Sequence, residues 1–126
     1  MRAVAAIQVG RSRQAGRVAI ASLRATTETG EIYDDPSEDL LFMLFEDIAN
    51  GDEDFFIVER TEGGGQTYFQ VAGGGRGFVL EYRDGGPDRH FGTECDDLQC
   101  AHRVVTGWAL ELDEWRNGLA WKQIRL

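Results

Sequence analysis

Two apolar periods run along the chain. Leu40, Leu41, Leu44, Phe45 and Ile48 fall on one face at helical spacing. The run has a marked start: Asp35 can cap, Pro36 fits the first helical position, and Glu38 stands three residues beyond the cap, as in a capping box. Glu38 and Asp39 place negative charge in the first turn, where the helix dipole favours it. Asn50-Gly51 closes the helix. A second stripe, Leu98, Ala101, Val105, Trp108 and Leu112, repeats at intervals of three and four. It predicts a helix that starts near Thr93 or Asp96 and ends in the stretch Asp113–Gly118.

Between the helices the period drops to two. Phe55–Glu59 carries bulky residues on both faces, as a central strand does. Glu62–Gln66 reads as a hairpin loop, Thr67–Ala72 as the next strand, and Gly73–Gly77 as a tight connection. Phe78, Leu80 and Tyr82 then alternate with Val79, Glu81 and Arg83. Gly85-Gly86-Pro87 turns the chain, and Arg89–Thr93 returns as a strand. Leu119–Leu126 reads as a last strand anchored by Trp121. At the other end, residues 3–9 and 18–23 read as two strands around a Gly10–Arg17 turn. That Ala- and Arg-rich, acid-poor stretch has the composition of a targeting peptide or a loose arm as well. The expected fold is one α+β domain over residues 1–126. It has an antiparallel sheet of about five to seven strands with two helices packed on one face. Residues 1–27 form a hairpin or a loosely packed arm.

Composition agrees with a folded domain: of 126 residues, 42% are hydrophobic and 28% charged. No apolar run approaches the roughly 18 residues of a membrane span, and Val4–Val9 is too short for a secretory core. Two cysteines are too few for a disulfide framework. The expected location is cytoplasmic, where a Cys95–Cys100 disulfide is disfavoured.

Charge is more informative than composition. Residues 1–27 hold five arginines (Arg2, Arg11, Arg13, Arg17, Arg24) and no acid, whereas residues 28–62 hold thirteen acids against one base, Arg60. The whole chain is −9. Such a block repels nucleic acid and membrane surfaces and attracts basic proteins. The expected partners are therefore a basic protein, with no nucleic acid and no membrane. A solvated helix face that keeps the protein soluble is the plainer reading of the same acids.

No motif names a reaction. Gly63-Gly64-Gly65 and Gly73-Gly74-Gly75 lie between expected strands and open no helix, so they read as turns rather than phosphate loops. His90, Cys95, Cys100 and His102 are four zinc-type side chains within thirteen residues, but their spacing matches no standard pattern. Cys100 and His102, two residues apart on a helix, point roughly 200° apart. The plainer reading is a surface His90, a half-buried Cys100, and His102 packed beside the Trp108 stripe. A Cys95–His90 nucleophile pair lacks a third orienting group. Carboxylates are so frequent that neither Glu81 nor Asp84 can be singled out as an acid or base. No metal, cofactor or catalytic residue is therefore expected. Of the three tryptophans, Trp108 and Trp121 read as structural. Trp115, among Asp113, Glu114 and Arg116, is the one expected to be partly exposed and free to anchor a partner.

Three segments carry a family likeness: DDPSEDLLFMLFEDI (34–48), VLEYRDGGPDRHFGT (79–93) and TGWALELDEWRNGLAW (106–121). Together they resemble small bacterial immunity proteins of polymorphic toxin systems, nearest to the group associated with nucleic-acid deaminase toxins. The likeness lies in a strand ending Glu-Tyr-Arg, a Gly-rich turn, a returning strand with His90, and a helix with Gly107-Trp108 before a terminal tryptophan strand. It covers roughly residues 31–126. The resemblance implies an α+β fold, no enzyme activity, and stoichiometric inhibition of a toxin. An acidic surface suits that role, because toxins acting on nucleic acid carry a basic cleft.

The expectation is a protein-binding module that occludes a basic toxin domain. Glu38, Asp39, Glu46, Asp47, Asp52, Glu53 and Asp54 would steer the partner, and Tyr33 or Trp115 would anchor it. The alternative is a regulatory or structural interaction domain, in one form homodimeric. A metal site or enzyme at His90, Cys95, Cys100 and His102 ranks below both. The sequence leaves the oligomeric state open.

Overall fold

The computed structural model describes residues 21–75 and 77–125. Among them, the elements are β1 (Leu23–Thr27), β2 (Ile32–Asp34), α1 (Glu38–Ala49), β3 (Phe55–Arg60), β4 (Thr67–Gly74), β5 (Gly77–Asp84), β6 (His90–Cys95), α2 (Leu98–Ala109) and β7 (Lys122–Gln123). The seven strands form one antiparallel sheet in the order β2-β1-β3-β4-β5-β6-β7. This is the expected α+β class.

Register fixes which side chains meet. Phe56 lies opposite Val71, Val58 opposite Phe69, Val71 opposite Leu80, and Phe69 opposite Tyr82. Side chains alternate across a strand, so these residues share one face of the sheet. Both helices pack there. Phe45 of α1 meets Phe56 and Phe78 edge-on at 5.2 and 5.3 Å, and Trp108 of α2 meets Phe69 at 5.5 Å. Leu41, Leu44, Phe45 and Ile48 are buried, as the helical period predicts, with Leu40 at the border of the stripe. Each large side chain so enclosed contributes roughly 1.5–3 kcal/mol of burial.

Several expectations need correction. The strand expected at 3–9 and its turn lie outside the described residues. Of the one expected at 18–23, residues 18–20 also lie outside the described residues; among the described residues the strand is β1, from Leu23 to Thr27. The cap of α1 is Ser37, not Asp35: the Ser37 Oγ accepts the Leu40 N–H at 3.1 Å. Asp35 has φ +46° and its carboxylate accepts the N–H groups of Ser22 and Leu23 at 2.9 and 3.0 Å, which pins the start of β1. The helix α2 starts at Leu98 and stops at Ala109, because Glu111 takes a left-handed conformation (φ +58°). Leu112 therefore leaves the stripe and is 54% exposed. The last strand is only Lys122–Gln123.

Candidate functional site

The acids expected to face a partner fall into separate groups along α1. Glu38 and Asp39 occupy its exposed first turn. Glu46 lies eight residues on, about 12 Å along the axis. There the chain doubles back. Asn50 closes the helix by donating its N–H to the Glu46 carbonyl at 2.8 Å. Gly51, at φ +86°, supplies the left-handed turn that L side chains avoid. The N–H groups of Asp52 and Glu53 then both converge on the Asp47 carbonyl, at 2.8 and 3.2 Å. The reversal lays Asp52 and Glu53 against Asp47.

The β1–β2 turn closes the other side. Glu28 donates its backbone N–H to the Phe55 carbonyl at 3.1 Å, and its carboxylate accepts the Asp54 N–H at 2.8 Å. The Glu53 carboxylate accepts the Thr29 N–H at 3.2 Å and the Thr29 hydroxyl at 2.6 Å. Glu28, Glu31, Glu46, Asp47, Asp52, Glu53 and Asp54 thus form an acidic rim around the C-terminal end of α1. The pKa of Asp47 is raised, first by its own burial and then by Asp52, Glu53, Glu31 and Glu46. Among the described residues, no arginine or lysine forms an ion pair with Glu46, Asp47, Asp52 or Asp54.

Not every predicted residue is displayed there. Glu53 is only 7% exposed and is consumed in holding Thr29, so it works as a loop pin rather than as an open charge. Tyr33 sits in the edge strand β2 and donates its hydroxyl to the Glu31 carboxylate at 2.9 Å, which brings its ring to the margin of the rim. Trp115 lies elsewhere. It packs edge-on against Tyr82 at 5.1 Å and against Phe69 and Trp121 at 5.9 Å. Its Cβ closes over Gly107, where an added methyl would come within 2.6 Å. Half-buried in this way, Trp115 works as a lid on the core and lies apart from the acidic rim. Glu28 and Glu31 are the rim residues that sequence reasoning did not single out. Only the pairing of a strand turn with a helix-exit loop makes them neighbours.

The zinc-type quartet divides between the two sides of the sheet. Cys95 faces the helices opposite Phe78, whereas His90, opposite Arg83, is on the other face. Among the described residues, no three His, Cys, Asp or Glu side chains gather as a metal site. His90 is not a surface residue: it is 3% exposed. Its Nδ1 accepts from Arg83 Nε at 3.1 Å, and its Nε2 lies 2.9 Å from Glu81 Oε1. Because arginine only donates, the proton is assigned to Nε2 and is given to Glu81. Both ring nitrogens are thereby engaged. Glu81 borders an open cleft of about 540 Å³ that also includes Val79, Glu94, Lys122 and Ile124. His102 sits between the helices, edge-on to Phe42 at 5.2 Å, with Nε2 3.0 Å from the Glu38 carbonyl.

No protein-family model, curated protein or solved structure matches this chain. Among the described residues, no helix is long and apolar enough to cross a membrane.

Proposed function

We propose that this chain is a non-enzymatic protein-binding module, an immunity protein that neutralises a toxin domain by lying over its basic active-site surface. The observation that carries the reading is the acidic rim. Carboxylates from a strand turn, a helix end and an exit loop gather around Asp47, whose pKa is raised first by its own burial and then by Asp52, Glu53, Glu31 and Glu46. A helix C-terminus already carries partial negative charge, so acids there are unfavourable for the helix itself. A basic surface laid across the rim would relieve both repulsions. Tyr33, joined to the rim through Glu31, is the aromatic better situated to anchor such a partner. The likeness of segments 34–48, 79–93 and 106–121 to immunity proteins supports the same role, and a cytoplasmic site of action fits it.

The test has two stages. A neighbouring gene for a toxin domain, and retention of that domain on the immobilised protein at low salt, are the expected first result. Neither being found would end the reading. The second stage measures association rates for the parent and for Glu46→Lys/Asp47→Lys. Exposed charges steer encounter at low ionic strength, and screening removes the effect as the Debye length falls from about 10 Å at 0.1 M salt to about 3 Å at 1 M. The double variant should associate severalfold more slowly at low salt and nearly normally at high salt. Equal rates at low salt would show that the rim does not steer the partner.

A further inference from the structure

Cys95 and Cys100 take no part in the acidic rim, yet the fold brings them together. Cys95 is the last residue of β6, turned toward the helices opposite Phe78 and 3% exposed. Two residues, Asp96 and Asp97, separate it from α2. Asp97 caps that helix by accepting the Cys100 N–H at 2.8 Å, which fixes Cys100 in the first turn. The chain folds back on itself there, and the two sulfurs stand 2.7 Å apart. A disulfide bond is about 2.05 Å long, so the pair lies less than about 1 Å from bonding distance.

We propose that Cys95 and Cys100 form a modification site, a dithiol that a small-molecule disulfide oxidises to an intramolecular bond tying the end of β6 to the first turn of α2. Exposure sets the order of events. Cys100 is half-exposed and can meet a soluble disulfide, whereas Cys95 is enclosed. The Cys95 pKa is pushed up by burial and then by the Cys100 thiol, which makes Cys95 a poor first nucleophile. The Cys100 thiolate attacks the disulfide RSSR. One Cys100–SR bond forms, the RS–SR bond breaks, and RS⁻ leaves. The Cys95 sulfur then attacks Cys100 Sγ, loses its proton, and expels the second RS⁻, which takes up that proton. Two thiols lose two electrons and two protons, and one disulfide becomes two thiols. A reducing compartment keeps the pair as the dithiol, and an oxidising challenge closes it.

Incubating the folded protein with oxidised glutathione, trapping free thiols by alkylation and weighing the product tests this directly. The expected product is monomeric, lighter by two hydrogens, free of glutathione, and restored by dithiothreitol. Cys95→Ser should stop with one glutathione on Cys100. Cys100→Ser should react at least about tenfold more slowly than the parent, because its remaining thiol is enclosed. Cys95→Ala serves beside Cys95→Ser, with near-ultraviolet circular dichroism of the tryptophans showing that the variant tested is folded. A parent protein that keeps both thiols, accumulates stable glutathione adducts, or links into dimers would overturn the proposal. So would a folded Cys100→Ser that reacts as fast as the parent.

Discussion

The two ends of α1 carry similar numbers of acids and treat them in opposite ways. At the N-terminal end, Ser37 caps the helix, and Glu38 and Asp39 face a helix end of partial positive charge. Charge and dipole agree, and the acids support the helix. At the C-terminal end, Glu46 and Asp47 meet partial negative charge, no base lies in the last turn, and the exit loop adds Asp52 and Glu53. Charge and dipole oppose each other there. The first arrangement is explained by folding alone. The second is unfavourable for folding, and so it is the end at which a function beyond stability is sought.

The comparison is sharpened most by Glu53, the buried acid of the rim, whose carboxylate folding uses to hold the β1–β2 turn. Removing its carboxylate in Glu53→Ala leaves the Thr29 N–H and hydroxyl without their acceptor and unties the β1–β2 turn from the exit loop. Hydrogen bonds to a charged acceptor carry roughly 1.5–3 kcal/mol, so a loss of about 2 kcal/mol in urea unfolding is expected, with Glu53→Gln losing less. An unchanged midpoint would return Glu53 to the displayed acids. It would also make the rim more one-sided than described.

Charge reversal at each end is a smaller and more direct test. Glu38→Lys/Asp39→Lys should lower stability by about 0.5–1 kcal/mol, and Glu46→Lys/Asp52→Lys should raise it by a similar amount, since a helix terminus contributes a few tenths to one kcal/mol per charge. Both changes should shrink in 1 M salt, where exposed charges are screened. The signs carry the argument. If both double variants were destabilised equally in urea melts, the two ends would not differ, and the electrostatic case for the C-terminal rim would be lost.

What the sequence made legible follows the strength of each local signal. The α1 stripe and the alternation of Phe78, Leu80 and Tyr82 are strong periodic patterns, and the structure buries the residues they select except Leu40, which is half-buried at the border of the stripe. The strand β1, LRATT, turns only Leu23, Ala25 and Thr27 inward, and β2 is three residues long. Small side chains and short length give both strands a weak alternating signal. The capping error at Asp35 has a similar origin. Asp, Pro and Ser are adjacent, all three favour a helix start, and only tertiary contacts decide that Asp35 holds β1. The carboxylates of the C-terminal rim were visible as a block, but not their division. Glu53 reads like its neighbours in sequence, and its burial depends on a turn more than twenty residues away. A Cys95–Cys100 disulfide is disfavoured on compartment grounds, and composition alone does not show that the two sulfurs stand 2.7 Å apart. A cysteine at the inward last position of a strand, a two-residue turn, and another in the first turn of the next helix were the signal available.

The smallest effect expected concerns Asp47 alone, and its sign separates the C-terminal end of α1 from an ordinary salt-bridged surface. The pKa of Asp47 is raised in the fold, so the folded protein holds the Asp47 proton more tightly than the unfolded chain does. Ionising the group therefore works against folding. That cost is complete above the folded-state pKa, declines as the pH falls through it, and is gone below the unfolded-state pKa. A carboxylate paired with a base behaves the other way, supporting the fold at neutral pH and losing that support in acid. Asp47→Asn removes the charge and nearly keeps the shape. The variant should be slightly more stable than the parent at neutral pH. Its advantage should fade on acidification and vanish below the ordinary carboxylate range, as read from paired urea midpoints between about pH 3 and pH 8. A parent protein more stable than Asp47→Asn at neutral pH would mean that Asp47 is balanced by positive charge. The C-terminal end of α1 would then be no more strained than the N-terminal one.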